Sequence, residues 1–254
     1  MLKNDFKDKL DAGETVVGTF VKFNCPTVIE MLGRADFDFF IIDREHAAFS
    51  DSDVERMVIA SDSVGLPVIV RTPSDSASDI LHALDSGAAG VQIPNIESVE
   101  QVKSVVKNAK YYPEGSRGLS FAQRAAGYGF DSGDEYIRQS NRNTTISIHI
   151  ENVGMVNRLD EICSIPAVDV LFIGPGDLSQ SLGKPGQSDD PEVVKLVENC
   201  FDIGIKNGKR IGIYVNNKNS LQRYSDLGAT YFAYKSDTLL FADSVKNARM
   251  EIGN

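Results

Sequence analysis

Residues 37–46 read Phe37-Asp-Phe-Phe-Ile-Ile-Asp-Arg-Glu-His46, a nearly unbroken apolar run that ends in two acids, an arginine and a histidine. A strand with one wet face alternates polar and apolar residues. A run without alternation suits a strand buried on both faces, as in a parallel sheet covered by helices. Working outward, seven more stretches repeat the pattern: Val16–Phe23, Pro67–Arg71, Gly90–Pro94, Thr145–Glu151, Val168–Gly174, Arg210–Val215 and Tyr231–Lys235. Together with Phe37–Asp43 they predict eight strands.

Helical patterns lie between them. Asp51–Ser63 follows a capping sequence at Ser50 and stops before Gly65-Leu66-Pro67. Ser76–Leu84, Ser98–Asn108, Val153–Ile162, Pro191–Asn207, Leu221–Leu227 and an amphipathic Thr238–Ile252 follow. Gly208 and Gly228 stand just past two of these ends, where left-handed caps sit. Strand and helix alternate along the whole chain, which predicts a parallel α/β fold. Eight units without a linker favour a closed (β/α)8 TIM barrel, read as a single domain over residues 1–254. The length of 254 residues matches the ~250 typical of that barrel. Two stretches break the rhythm: the glycine-rich, arginine-bearing Tyr111–Phe130 and the loop-like Gly183–Asp190. Ordered loops of this length in a compact barrel often serve function.

Composition excludes several classes. A net charge of −10 leaves no basic footprint for nucleic acid, and any anionic substrate must be caught by local groups. Three cysteines, Cys25, Cys163 and Cys200, are too few and too scattered for a disulfide framework or a thiolate zinc site. The charged start of the chain lacks the apolar stretch of a signal peptide. No run reaches the ~18 apolar residues needed to span a bilayer. The expected compartment is the cytoplasm.

In such a barrel, polar groups at the C-terminal ends of strands read as chemistry. Here those ends collect Asp43, Glu45 and His46, then Arg71, then His149 and Glu151, then Asp177 and Ser179. Glu151 and Asp177 come from consecutive strands, which lie ~4.8 Å apart. Each alone could cap a helix; as a pair they suit a hard divalent ion such as Mg2+ or Mn2+, with Co2+ or Zn2+ as alternatives. Asp43 and His46 have the composition of a base with its orienting carboxylate. Arg71 must meet an anion, either a developing enolate oxygen or Asp43 or Glu45 in a structural ion pair. Gly174-Pro-Gly176-Asp177 offers backbone amides to a substrate carboxylate. His82, inside a helical pattern, reads as structural.

The segments Phe37–Ala47, Val70-Arg71, Tyr112-Pro-Glu-Gly-Ser-Arg-Gly118, Ile150-Glu151-Asn and Phe172-Ile-Gly-Pro-Gly-Asp177-Leu-Ser together resemble the HpcH/HpaI family of metal-dependent pyruvate aldolases. The resemblance runs in order over nearly the whole chain. It implies a phosphoenolpyruvate/pyruvate-type TIM barrel, assembled as a trimer or hexamer with the C-terminal helix exchanged between subunits. It implies a divalent metal on Glu151 and Asp177, Arg71 on the keto oxygen, and His46 with Asp43 as base, with amides near Gly176 and Asp177 on the pyruvate carboxylate. The implied substrates are a small keto acid and an aldehyde. Arg44, His149 and Lys235 depart from the family's usual residues and add groups able to carry positive charge; Arg124 is a candidate for an acceptor carboxylate, from its own or a neighbouring subunit.

The resulting expectation is an aldolase that cleaves or forms a 4-hydroxy-2-oxo acid through a metal-stabilised enolate. The alternatives are a citrate-synthase-like or citrate-lyase-like reaction or oxaloacetate decarboxylation on the same scaffold, a Schiff-base aldolase using Lys235, and a non-catalytic binding protein.

Overall fold

The computed structural model describes residues 5–253. Eight parallel strands close into a barrel in the order β1 to β8. They are β1 (Val16–Val21), β2 (Phe39–Asp43), β3 (Val68–Arg71), β4 (Gly90–Ile93), β5 (Thr145–Ile150), β6 (Val170–Ile173), β7 (Arg210–Val215) and β8 (Tyr231–Ser236). All eight predicted strands exist, each shorter than or equal to its apolar run except β8, which gains one residue. The α-helices among the described residues are α1 (Phe6–Ala12), α2 (Pro26–Arg34), α3 (Asp51–Val64), α4 (Ala77–Asp85), α5 (Val99–Ala109), α6 (Gly133–Asn143), α7 (Val153–Val156), α8 (Leu159–Cys163), α9 (Pro175–Ser181), α10 (Pro191–Lys206), α11 (Lys218–Asp226) and α12 (Asp237–Ile252).

Two apolar layers explain why the strands carry no alternation. Side chains from one face of each strand fill the barrel: Phe20, Phe39, Ile41, Ile69, Phe172 and Tyr231 form one buried cluster. The other face packs against the helices, with Phe40, Ile42, Val70, Ile148, Ile150 and Ile213 in the larger cluster. Both faces are dry, so both are apolar. Glycines make room for the interior rings. A Cβ on Gly212 would come within 2.8 Å of the Phe172 ring and 2.9 Å of Tyr231. Helix α1 closes the N-terminal end, its Phe6 ring 5.1 Å from Phe39 and 6.4 Å from Tyr231.

Helix starts follow their caps. Ser50 and Ser98 form capping boxes with Asp53 and Gln101, and Pro191 occupies the first turn of α10 behind Asp190. Three helices have no counterpart among the expected elements or only a hint of one. Helix α2 begins at Pro26 and buries only Ile29 and Leu32; α6 buries only Asn141; α9 is a short turn after β6. The expected helix over Val153–Ile162 splits at Arg158, whose backbone (φ −112°, ψ 14°) leaves the helical region. The long Tyr111–Phe130 segment is pinned rather than loose. Arg117 stacks 4.6 Å over Tyr111 and pairs with Asp85 at 2.6 Å, and Asn141 bonds both the N–H and the carbonyl of Tyr111. Among the described residues no helix is long and apolar enough to cross a membrane.

Candidate active site

The mouth is built strand end by strand end. At β2, Asp43 is fully buried and accepts on Oδ1 from Arg71 Nε (2.9 Å) and from the backbone N–H of Glu45 (3.2 Å) and His46 (3.1 Å). Its Oδ2 faces Arg71 Nη2 at 2.7 Å and Lys22 Nζ, at the end of β1, at 3.2 Å. Burial pushes the Asp43 carboxyl up, but Arg71, the His46 amide and Lys22 outweigh it and hold the group below the ordinary value. The expected Asp43–His46 pair therefore does not form. Asp43 folds the Asp43–His46 turn onto its own oxygen and spends the rest of its capacity on Arg71 and Lys22. The ring of His46 is mostly exposed, and its nearest acid is Glu45, with Nε2 3.6 Å from Oε2.

Arg71 shows the structural ion pairs named as its alternative. Besides Asp43 it holds Glu45 Oε2 at 2.9 Å through Nη1 and lies 4.6 Å over the Phe20 ring. A guanidinium has five N–H donors. Nε donates the one hydrogen bond, to Asp43 Oδ1, while Nη1 and Nη2 make ion-pair contacts with Glu45 Oε2 and Asp43 Oδ2 and keep N–H donors for another oxygen.

At β5 and β6 the two acids converge. A Cβ placed on Gly174 would lie 3.3 Å from Asp177 Oδ2, 3.7 Å from Glu151 Oε2 and 3.2 Å from Glu151 Cβ. Glu151 is anchored: its Oε1 accepts from the backbone N–H of Asn95 (2.5 Å) and its Oε2 contacts His149 Nδ1 (2.9 Å). Burial pushes its carboxyl up, but the bonds from His149 and Asn95 bring it below the ordinary value. Asp177 accepts no hydrogen bond and makes no ion pair among the described residues. Burial and the neighbouring charge of Glu151 raise its carboxyl. Two acids this close repel, and Asp177, exposed at the mouth, has no protein donor among the described residues to offset the repulsion. A divalent cation fits that imbalance, and the donor set is all oxygen, as Mg2+ or Mn2+ require. No group of three or more His, Cys, Asp or Glu side chains suited to a metal occurs among the described residues. The pair would leave most of the coordination shell to water or substrate.

Several sequence candidates lie elsewhere. Ser179 is fully buried, and its hydroxyl donates to Gly176 O (2.6 Å), closing α9 rather than facing the mouth. Gly176 is exposed beside Asp177. His149 is buried inside the barrel, stacked 4.8 Å on Phe172, with Nδ1 2.9 Å from Glu151 Oε2. Arg124 turns to the opposite end of its own barrel, paired with Asp62 and donating to Ser86 O at the ends of α3 and α4. Arg44, its side chain largely buried, pairs with Asp51 (2.9 Å), which also meets His82 Nδ1 at 2.9 Å. Lys235 is taken by Asp243 (2.6 Å), whose bond raises its pKa, whereas a Schiff-base lysine needs the reverse.

Sequence reading missed four participants. Lys22, Gln92 and Tyr231 looked like parts of ordinary strands. Asn95 adopts a left-handed backbone (φ 57°), which asparagine tolerates better than most residues. Its side chain donates to Glu45 Oε1 (2.9 Å) while its N–H holds Glu151, so it ties the two acids together. The Pro94-Asn95 turn signal after β4 could have marked it.

Comparison with known proteins points one way. The family model described as HpcH/HpaI aldolase/citrate lyase matches residues 17–244. The 5-keto-4-deoxy-D-glucarate aldolase of Shigella boydii serotype 18 is 34% identical over 96% of this chain and 94% of its own length. The crystal structure of an HpcH/HpaI aldolase from Desulfitobacterium hafniense DCB-2 superposes with a TM-score of 0.91 at 28% identity, covering 98% of this chain and 96% of that one. The structure of the citrate synthase SbnG gives 0.87 at 27% identity, covering 97% and 96%.

Proposed function

The chain belongs to the HpcH/HpaI aldolase/citrate lyase family and is a carbon–carbon lyase, and we propose that it is a divalent-metal-dependent aldolase acting on a 4-hydroxy-2-oxo acid. The observation that carries this reading is the convergence of Glu151 and Asp177 on Gly174, with Asp177 left without a donor. Glu151 and Asp177 would hold the cation, which when bound supplies a Lewis acid toward the keto oxygen of the substrate.

The chain's own groups supply the rest. The Nη donors of Arg71 stabilise the oxygen on which negative charge grows as the C3–C4 bond breaks. Arg71 is rigid for this task, because Asp43, Glu45 and the Phe20 ring fix its plane. His46 takes the proton of the 4-hydroxyl, with Glu45 beside it to stabilise the imidazolium. The O–H electron pair becomes the aldehyde carbonyl, the C3–C4 pair passes into the enolate, and C3 regains a proton to give pyruvate. Exposed backbone at Gly176 lies next to Asp177 and is the nearest surface for the substrate carboxylate. The relative named above, a 5-keto-4-deoxy-D-glucarate aldolase, favours a sugar-acid substrate.

A pyruvate-release assay over a panel of 4-hydroxy-2-oxo acids, run with and without chelator, tests the proposal. Turnover that vanishes in chelator and returns with Mg2+ or Mn2+ is expected; full turnover in excess chelator would sink the metal reading. A second reading, condensation or cleavage of a polycarboxylate such as citrate, draws support from the likeness to SbnG and from Lys22 beside Arg71. Product analysis with oxaloacetate separates the two.

A further inference from the structure

Behind Glu151 a file of polar side chains crosses the otherwise apolar barrel: Tyr231 from β8, Gln92 from β4 and His149 from β5. All three are buried, at 0%, 0% and 3% exposure. Tyr231 Oη lies 3.2 Å from Gln92 Oε1, Gln92 Nε2 lies 2.8 Å from His149 Nε2, and His149 Nδ1 lies 2.9 Å from Glu151 Oε2. Direction follows from donor counting. Burial raises the Tyr231 phenol far above its ordinary pKa, so its proton stays on and must find an acceptor. Among the described residues its one hydrogen-bond partner is Gln92, which must therefore present its carbonyl oxygen to the phenol. That leaves the Gln92 amide N–H2 facing the imidazole. The ring nitrogen opposite it can only accept, so Nε2 carries no proton, and Nδ1 holds the proton and donates to Glu151.

We propose that His149 is a positioning residue for the cation site, locked by Gln92 and Tyr231 as the neutral Nδ1–H tautomer and used to aim Glu151 rather than to bind metal or substrate. Both ring nitrogens are committed, so neither is left for a cation. The ring cannot swing, because it is stacked 4.8 Å on Phe172 at an interplanar angle of 22°. With the Asn95 N–H on Oε1 and the His149 N–H on Oε2, each Glu151 oxygen keeps its remaining lone pairs for the space shared with Asp177. Partners that orient a ligand in this way typically govern metal affinity by about 10–100-fold.

The inference rests on the reading of Glu151 and Asp177 as metal ligands, and two measurements keep the two apart. Nitrogen-15 NMR of the histidine-labelled protein without metal reads the tautomer directly. A protonated Nδ1 and bare Nε2 for the buried ring are expected, with loss of that single tautomer in Gln92→Leu. A protonated Nε2 or an imidazolium overturns the proposal. Electron paramagnetic resonance titration with Mn2+ reads the affinity. His149→Phe keeps the stack on Phe172 but has no N–H, and is expected to weaken Mn2+ binding about 10–100-fold, whereas His149→Gln, which can both donate and accept, restores most of it. Unchanged binding by a folded His149→Phe protein overturns the positioning role. If the unsubstituted protein binds no Mn2+, the metal reading itself falls, and the NMR result still decides the tautomer.

Discussion

At the scale of single residues, Asp43 does more for the mouth than its place in the sequence suggests. It is buried without access to solvent, yet it serves two cations and two backbone amides. Asp43→Asn leaves Arg71 and Lys22 facing an uncharged amide, and is expected to cost about 3–5 kcal/mol of stability, the scale of breaking one side of a buried ion pair. The pH dependence follows from the lowered pKa. A depressed carboxyl contributes stability above its unfolded value, here 3.8, and loses it as pH falls through the lower folded value. Denaturant titrations should therefore show a constant gap between the unsubstituted and Asp43→Asn proteins above that pH and a closing gap below it. A gap that stays constant under acid would contradict the assignment. Asp177 makes a different prediction. If Asp177 and Glu151 hold the cation as proposed, Asp177→Asn removes one of its two protein ligands, and turnover should drop by about three orders of magnitude, as loss of several kcal/mol of charge stabilisation requires. Thermal stability without metal should hold or rise, since the like charge of Glu151 loses its neighbour.

At the scale of elements, the turn after β4 and the last helix carry the testable features. Asn95 has two separable roles, a left-handed backbone and a side-chain bond to Glu45. Asn95→Gly should fold about as stably as the parent but turn over more slowly. Asn95→Ala should lose turnover and also about 1–2 kcal/mol of stability, because a Cβ without a polar side chain is strained there. Parallel unfolding and kinetic measurements separate the two effects; equal stability for Ala and Gly would remove the backbone argument. Helix α12 buries only Asp237, whose carboxylate caps the end of β1 through the Lys22 and Phe23 amides. Phe241, Val245 and Ile252 fall on one face at helical spacing and are 61%, 50% and 81% exposed. Phe241 touches only the edge of Phe23 among ring contacts. The family resemblance implies that a second copy of the chain covers this face. Val245→Asp with Ile252→Asp should lower the mass seen by sedimentation without unfolding the barrel; a parent protein that sediments as a monomer would refute this.

At the scale of the whole molecule, the barrel separates labour between its two ends. The N-terminal end is closed by Phe6 against Phe39 and Tyr231, and Arg124 is anchored at that end. The opposite end gathers the charged residues of β1 through β6, so one rigid cylinder holds Lys22, Arg71, Glu151 and Asp177 in a fixed array. Rigidity matters because the acids sit on neighbouring strands and a cation between them tolerates little displacement. Chelator dependence of pyruvate release therefore tests the assembled mouth rather than any one residue.

Much of this architecture was written locally. Continuous apolar runs suited strands dry on both faces, eight of them with helices between favoured closure, and the acid-rich strand ends pointed to a mouth. Those readings survive because they depend on neighbours along the chain. Partnership did not. The spacing of Asp43 and His46 suggested a base and its carboxylate, but the backbone turn closes on Asp43 and Arg71, 28 residues away, takes the carboxylate. Lys22, Gln92 and Tyr231 gave no signal in their own segments, and Asn95 only that of a turn. Gln92 meets Tyr231 across 139 residues of chain and Asn95 meets Glu151 across 56. Composition and the lack of alternation determined that the strands are buried on both faces. Only closure of the barrel decided which buried polar groups touch, because a hydrogen bond depends on distances of about 3 Å that no linear spacing encodes.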